Sequence, residues 1–301
     1  MGRVAVVCHD AGGAEILSSW LLRSNDLCFV VAVGPAVSIF DRKCVAAERM
    51  SLVDAIEKSD WVLCGTSITN LERKAIKLGR EKGKKTVAFI DHWVNYTERF
   101  QDDDYSLILP DEIWVGDEFA FHLAKKEFPT VKVIQKENPY FNSIKKEFLR
   151  LDDQRKCSNN RINILYVCTP LNYFASIEPG DEQYCGFTEE DAVRYFINNI
   201  NLLNYDDCQI ILRPHPSENK NKYDWVLSEF DMDVSIKIGG IRSLLEEIND
   251  ADVIVGCDSM AMVIGLIVGK RVISAFPGKR ICSLPMPEIE HMHLLDNGFL
   301  E

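Results

Sequence analysis

The chain has no long apolar run. Its longest, such as Val253-Ile254-Val255 and Ala261 to Val268, stop well short of the ~20 residues that span a bilayer, so no transmembrane helix is expected. Met1-Gly2-Arg3 is followed by Val4-Ala5-Val6-Val7, without the long apolar stretch and small-residue site of a secretory signal, and cytoplasmic residence is the expectation. No CxxC pair occurs among the 10 cysteines, which are scattered along the chain. Cys8, Cys64, Cys168 and Cys257 sit in apolar runs, where a thiol behaves as a small buried hydrophobe, and free thiols in a reducing compartment fit best. Basic clusters are scarce as well: 34 Lys+Arg face 46 Asp+Glu, a net charge of −12. That balance excludes a general nucleic-acid binder, because binding to a phosphate backbone needs clustered cations. Its nearest candidate, Glu81 to Lys85, reads as a solvated helix end before a strand. There is no low-complexity tract and no short repeat.

What is present is core-forming sequence. Hydrophobic residues make up 47% of 301, too many for a disordered chain and enough for roughly two domains of about 150 residues. Short β-branched runs alternate with helical spacing: Val4 to Cys8, a helix from about Ala14, Phe29 to Val33, Trp61 to Cys64, a helix from Asn70 to Glu81, Thr86 to Ile90, Glu112 to Val115, a helix from Phe119 to Phe128, and Val131 to Ile134. After Asn138-Pro139 a polar stretch, 144–160, reads as a linker between a domain at 1–143 and another at 161–301. The second half repeats the alternation, with strands at Ile162 to Val167, Gln209 to Leu212, Val234 to Ile238, Val253 to Val255 and Arg271 to Ala275, and helices near Glu189 to Leu203, Ser243 to Ile248 and after Ser259. The class is α/β with mostly parallel sheets, two Rossmann-like doubly wound domains.

Two segments of the second half carry chemistry. In Ala251 to Met262 a strand ends at Gly256, a turn follows, and a helix begins with Asp258 or Ser259 as its cap. Gly256, Asp258, Ser259 and Met260 therefore form a candidate phosphate cradle, since helix N-termini present free amides to anions; an ordinary capped strand-turn-helix is the competing reading. In Ile210 to Glu218 an arginine and a histidine, Arg213 and His215, lie just past a buried strand on a loop stiffened by Pro214 and Pro216. Arg213 supplies a forked cation for phosphate or carboxylate, and His215 a ring donor, unless Arg213 merely pairs with a carboxylate and His215 occupies a turn.

Together, Arg213-Pro214-His215-Pro216 and Ala251 to Ile273 resemble the nucleotide-binding domain of GT-B-type glycosyltransferases of bacterial surface polysaccharides, the polysialyltransferase-like and Kdo-transferase-like enzymes, with distant similarity to glycerophosphotransferases and sugar-nucleotide 2-epimerases. The resemblance implies a GT-B-like pair of domains facing a cleft, and a nucleotide-sugar donor, CMP-linked by preference with UDP-linked donors open. It further implies no obligatory metal or other cofactor, and a glycan acceptor. His215, Arg213 and Ser259 would contact the donor, His215 also acting in catalysis as negative charge develops on the leaving nucleotide. A place at the inner face of the membrane, in a peripheral assembly complex, follows from the same likeness. Where many such enzymes carry a Glu one turn into the helix after the serine, this chain has Met260, Ala261, Met262 and Val263.

The first domain is expected to hold the acceptor. His9-Asp10-Ala11-Gly12-Gly13 follows the first strand; Asp10 is a candidate base for an acceptor hydroxyl or else a helix cap, and His9, Gly12 and Gly13 are candidate acceptor contacts. Asp91 and His92 are further candidate bases, in a segment whose Trp93, Tyr96 and Glu98 suit sugar recognition by ring stacking and hydroxyl binding, or else form a buried hydrogen-bonded loop. Thr66 or Ser67 reads as a helix cap. Asp102-Asp103-Asp104 could suggest a metal-binding Asp-x-Asp but follows no nucleotide-binding strand and reads as a solvated loop, and His291-Met292-His293 is weak as a metal site. The expected activity is transfer of a sugar from a nucleotide-sugar to a glycan. The alternatives are a 2-epimerase, an alcohol-phosphate transferase, or a non-catalytic nucleotide-sugar-binding subunit, the last motivated by the missing acidic residue after Ser259.

Overall fold

The computed structural model describes residues 2–43, 47–152, 161–171, 186–230, 235–278, 280 and 282–295. Contacts divide the chain into two units, Met1–Ser143 and Ile144–Glu301. The first is built on seven parallel strands: β1 (Arg3–Cys8), β2 (Leu27–Ala32), β3 (Glu48–Arg49), β4 (Trp61–Cys64), β5 (Lys85–Ile90), β6 (Glu112–Val115) and β7 (Lys132–Gln135), in the order β3-β2-β1-β4-β5-β6-β7. Its helices are α1 (Ala11–Leu21), α2 (Pro35–Arg42), α3 (Leu52–Lys58), α4 (Leu71–Glu81) and α5 (Glu118–Glu127), and a further helix, α6 (Pro139–Asp152), starts in this unit and continues past its boundary at Ser143. The second unit has six parallel strands, β8 (Ile162–Val167), β9 (Cys208–Arg213), β10 (Ser235–Ile238), β11 (Val253–Gly256), β12 (Arg271–Ser274) and β13 (Glu290–His291), ordered β10-β9-β8-β11-β12-β13. Its described helices are α7 (Glu189–Asn198), α8 (Val226–Glu229), α9 (Leu244–Asp250), α10 (Met260–Ile267) and α11 (Met292–Leu295).

Both units are thus doubly wound and Rossmann-like in topology. The strand order reverses between β1 and β4 in one and between β8 and β11 in the other, the points where ligands bind in open parallel sheets. Central strands are covered on both faces, which is why Val4 to Cys8, Val62 to Cys64 and Val253 to Gly256 are apolar without alternation and wholly buried. One core joins Val4, Val6, Leu17, Phe40, Leu63 and Phe89, the other Tyr166, Phe196, Leu212, Tyr223 and Val255.

The 11 strands read from the sequence fall where it places them, to within two residues, and the two-residue strands β3 and β13 were not foreseen. Several short elements were not legible. α2 opens at Pro35 after Gly34, whose φ of +59° only glycine adopts without strain, and α3 is a seven-residue helix capped by Ser51, both too short to show a helical period. The helix expected from about Ala14 begins at Ala11, and the one expected to reach Leu203 ends at Asn198, with a separate 3-10 turn at Ile200–Leu203. Residues 144–152, read as linker from their charge, are the second half of α6, because Ile144 and Phe148 repeat at i, i+4 and are buried; 153–160 lie outside the described residues, as does Val234. Among the described residues no helix is long and apolar enough to cross a membrane. Cys8, Cys28, Cys64, Cys168, Cys208, Cys257 and Cys282 are buried thiols.

Candidate functional site

In the N-terminal unit three sequence clusters meet at the C-terminal ends of β1, β4 and β5. Two carboxylates tie them together. Glu72, on the first turn of α4 and 2% exposed, accepts the His9 amide at 2.7 Å and the Ser67 hydroxyl at 2.6 Å. Burial pushes its carboxyl above the usual range, against the pull of those two donors. Asp91 accepts Arg99 Nη1 at 2.9 Å and the Thr66 hydroxyl at 3.3 Å through Oδ1, in a nearly buried ion pair, while its Oδ2 makes no hydrogen bond among the described residues.

Asp10 stands at the N-cap of α1 but does not cap it. Its carboxylate instead lies 2.7 Å from His9 Nδ1. An ionised carboxylate only accepts, so Nδ1 carries a proton, and in the neutral ring the lone pair is then on Nε2. The ring lies against Gly34, where a Cβ would come within 2.6 Å of Nε2. His92 is arranged the other way: the Trp93 amide donates to its Nδ1 at 3.0 Å, which puts the neutral ring's proton on Nε2.

Gly12 is where α1 passes the Asp91 side chain, and a Cβ there would overlap Asp91 Oδ2. Gly13 and Gly65 pass each other beside Cys8 Sγ in the same crossing. An alanine in a helix ordinarily gains about 1 kcal/mol over glycine. Gly12→Ala should reverse that sign and destabilise by about 1–3 kcal/mol, since Asp91 is held by Arg99 and Thr66 and cannot turn aside; urea unfolding of wild type and variant measures it.

The rings expected to stack on sugars are not available for that. Trp93 is 6% exposed with Nε1 on the Asp117 carboxylate at 3.0 and 3.1 Å, and Tyr96 is 5% exposed with its hydroxyl on the Ala120 carbonyl at 3.4 Å. Both pack the loop onto α5, the buried-loop alternative. Glu98 is exposed on a 3-10 turn. Asp102 to Asp104 form an exposed turn in which Asp104 accepts the Ser106 amide and hydroxyl. His291 ends β13 and His293 lies in α11, their rings 5.8 Å apart; among the described residues no group of three His, Cys, Asp or Glu could hold a metal ion.

In the C-terminal unit the His-Pro loop leaves the end of β9, one strand from the switch point. Ser217 donates its amide to His215 Nδ1 at 3.2 Å, and its hydroxyl lies 2.7 Å from the same nitrogen. Nδ1 is therefore the acceptor and Nε2 bears the proton. Burial lowers the imidazole's affinity for a second proton, only partly offset by Glu218, so the neutral Nε2–H form holds at neutral pH. Arg213 donates from Nη1 to Glu247 at 2.6 Å and to the Arg242 carbonyl at 3.0 Å, which is the carboxylate pairing the sequence left open; its Nε and Nη2 have no partner among the described residues.

The turn after β11 is a capped helix start. Ser259 Oγ accepts the Ala261 amide at 3.3 Å and its carbonyl the Met262 amide at 2.9 Å, and the Met260 amide has no such acceptor among the described residues. Gly256 is buried, and a Cβ there would meet Val167 Cγ2 at 2.8 Å and the Val167 carbonyl at 2.9 Å, so glycine serves strand packing at this position. Asp258 accepts the Ser283 hydroxyl at 3.1 Å.

Residues that sequence reasoning missed are the acidic partners beneath these loops: Glu72, Glu247, and Glu218 with Lys222 and Tyr223. Glu218 stands three residues after His215, the one signal that pointed to it.

No protein-family profile and no curated protein sequence matches the chain. Among solved structures it is similar to MurG of Acinetobacter baumannii, with a TM-score of 0.52 and 11% identity over 98% of this chain and 82% of that one. It is similar to a putative UDP-N-acetylglucosamine 2-epimerase of Listeria monocytogenes, TM-score 0.60 and 10% identity over 91% and 79%. A structure of S. aureus MnaA with UDP gives 0.58 and 14% identity over 91% and 79%. The likeness is one of fold: two Rossmann-like α/β domains within one chain, as in GT-B proteins.

Proposed function

We propose that the chain is a nucleotide-sugar-dependent glycosyltransferase whose C-terminal unit takes the donor. The observation that carries this reading is His215, a neutral ring with Nδ1 occupied and Nε2–H left to donate, on a rigid Pro-His-Pro loop at the ligand-binding edge of a parallel sheet. A donor of that kind suits a phosphate oxygen on which negative charge grows as the nucleotide leaves. The Met260 amide at the start of α10 and the open side of the Arg213 fork supply further donors. Asp258 brings negative charge to the same turn and suits a hydroxyl of the donor better than its phosphate.

In the N-terminal unit the acceptor hydroxyl gives its proton to the His9–Asp10 pair. Asp10 holds Nδ1–H, so Nε2 is the base, an assignment that moves Asp10 from base to orienting group. Asp91 keeps Oδ2 for an acceptor hydroxyl. His92, with its proton on Nε2, acts as a donor.

A CMP-linked sugar is favoured by resemblance, and the UDP held by the S. aureus MnaA structure favours a UDP-linked one. Thermal unfolding against CMP, CDP, UMP, UDP, GDP and ADP decides between them. A nucleotide at ~100 times its Kd should add about 2.7 kcal/mol of stability. A selective shift names the donor class, and no shift with any of the six would overturn the reading. Conversion of a UDP-sugar to its C2 epimer, with the nucleotide still attached and no acceptor present, would make the protein a 2-epimerase instead.

A further inference from the structure

The Pro214-His215-Pro216 stretch has one backbone amide, because neither proline carries an N–H. That amide is taken by Glu218: Oε2 accepts the His215 N–H at 2.8 Å, and in return the Glu218 N–H donates to the His215 carbonyl at 2.9 Å. Both main-chain groups of His215 are therefore tied to a single residue. The other carboxylate oxygen, Oε1, accepts Lys222 Nζ at 3.0 Å and the Tyr223 hydroxyl at 2.9 Å, and Lys222 also reaches Glu189 Oε1 at 2.6 Å. The Glu218 side chain is 5% exposed and Tyr223 is wholly buried, so the loop is anchored in the core of the unit.

We infer that Glu218 is a positioning residue: its buried carboxylate fixes the His215 main chain, and so aims the Nε2–H of the ring at the phosphoryl group of the ligand. The inference rests on the reading of His215 as a phosphate donor. Stability does not require this arrangement, since a buried ionic network can often be replaced by apolar groups without loss. What an apolar replacement could not supply is an acceptor for the one amide of the loop. Ser217 acts from the other end, on Nδ1, so ring orientation and tautomer are held together, and among the described residues nothing takes up Nε2.

The test compares Glu218→Ala with Glu218→Gln, which keeps an acceptor oxygen for the His215 amide. The chain has 6 histidines, and imidazole 15N signals of the labelled protein, with His215→Gln to assign the ring, report its tautomer without any assay of turnover. In the wild type His215 should be a single Nε2–H species. Glu218→Ala should mix the tautomers and weaken binding of the nucleotide found in the panel by at least ~10-fold, which is about 1.4 kcal/mol, while Glu218→Gln keeps most of both. Unchanged His215 signals and affinity in folded Glu218→Ala, even with a lower Tm, would overturn the inference. Should the wild type bind none of the nucleotides, the donor-site reading fails, and the imidazole signals alone still decide whether Glu218 orients His215.

Discussion

Replacing His215 with Ala is expected to lower turnover by about 10²–10³-fold, the usual effect of removing one preorganised donor aimed at developing charge. The fold should survive. His215 is half-buried, the hydrogen bonds of its ring among the described residues are with Ser217 on the same loop, and the Glu218 carboxylate binds the main-chain amide, which alanine retains. His215→Gln keeps a side-chain N–H donor and should recover part of the loss, whereas wild-type turnover in His215→Ala would remove the ring from the mechanism. The pH dependence of stability gives a second check with a definite sign. Burial makes the folded ring harder to protonate than the unfolded one. The unfolded chain therefore binds more protons just below the ordinary histidine pKa of about 6.5, and stability falls as pH falls through that range. Loss of the ring should remove that part of the acid sensitivity and leave the curve above it unchanged.

How much of this was legible in the sequence depends on where each residue's partner lies. Strands such as β1, β4, β8 and β11 announce themselves because the central strands of a parallel sheet are apolar on both faces, and His9, Asp91 and His215 then follow the C-terminal ends of β1, β5 and β9. Local chemistry was legible too: Ser259 caps α10, and the His-Pro loop is as stiff as two prolines make it. Asp10 was not, since a residue before a helix reads equally as cap or base, and only the geometry shows its carboxylate turned to His9. Trp93 and Tyr96 misled for a related reason. A dense mix of aromatic and polar residues marks a sugar-binding surface and a packed loop alike, and the deciding contacts, to Asp117 and Ala120, are 24 residues away in the sequence.

Glu247 is the clearest case of a distant partner, and its removal should be the most destabilising change considered. Its Oε2 pairs with Arg213 at 2.6 Å and its Oε1 accepts the Gly240 amide at 2.7 Å, with side-chain exposures of 14% for Arg213 and 6% for Glu247. Glu247→Ala leaves a nearly buried guanidinium without its counter-ion and the Gly240 amide without its acceptor. Breaking a buried pair in this way costs about 3–5 kcal/mol, and in a unit of this size that corresponds to a Tm lower by roughly 10 °C. Differential scanning calorimetry measures it, and a loss under about 1 kcal/mol would mean that the pair contributes little. The double variant Arg213→Met/Glu247→Leu then separates structure from function, because an apolar pair of similar volume can match or exceed the stability of the ions it replaces. If Arg213 also turns its open nitrogens to the donor phosphate, the double variant should recover the part of the stability lost to the unpaired guanidinium, though not the part lost at the Gly240 amide, and still bind the nucleotide at least ~10-fold more weakly than the wild type. Recovery of both would confine Arg213 to holding α9 against the end of β9.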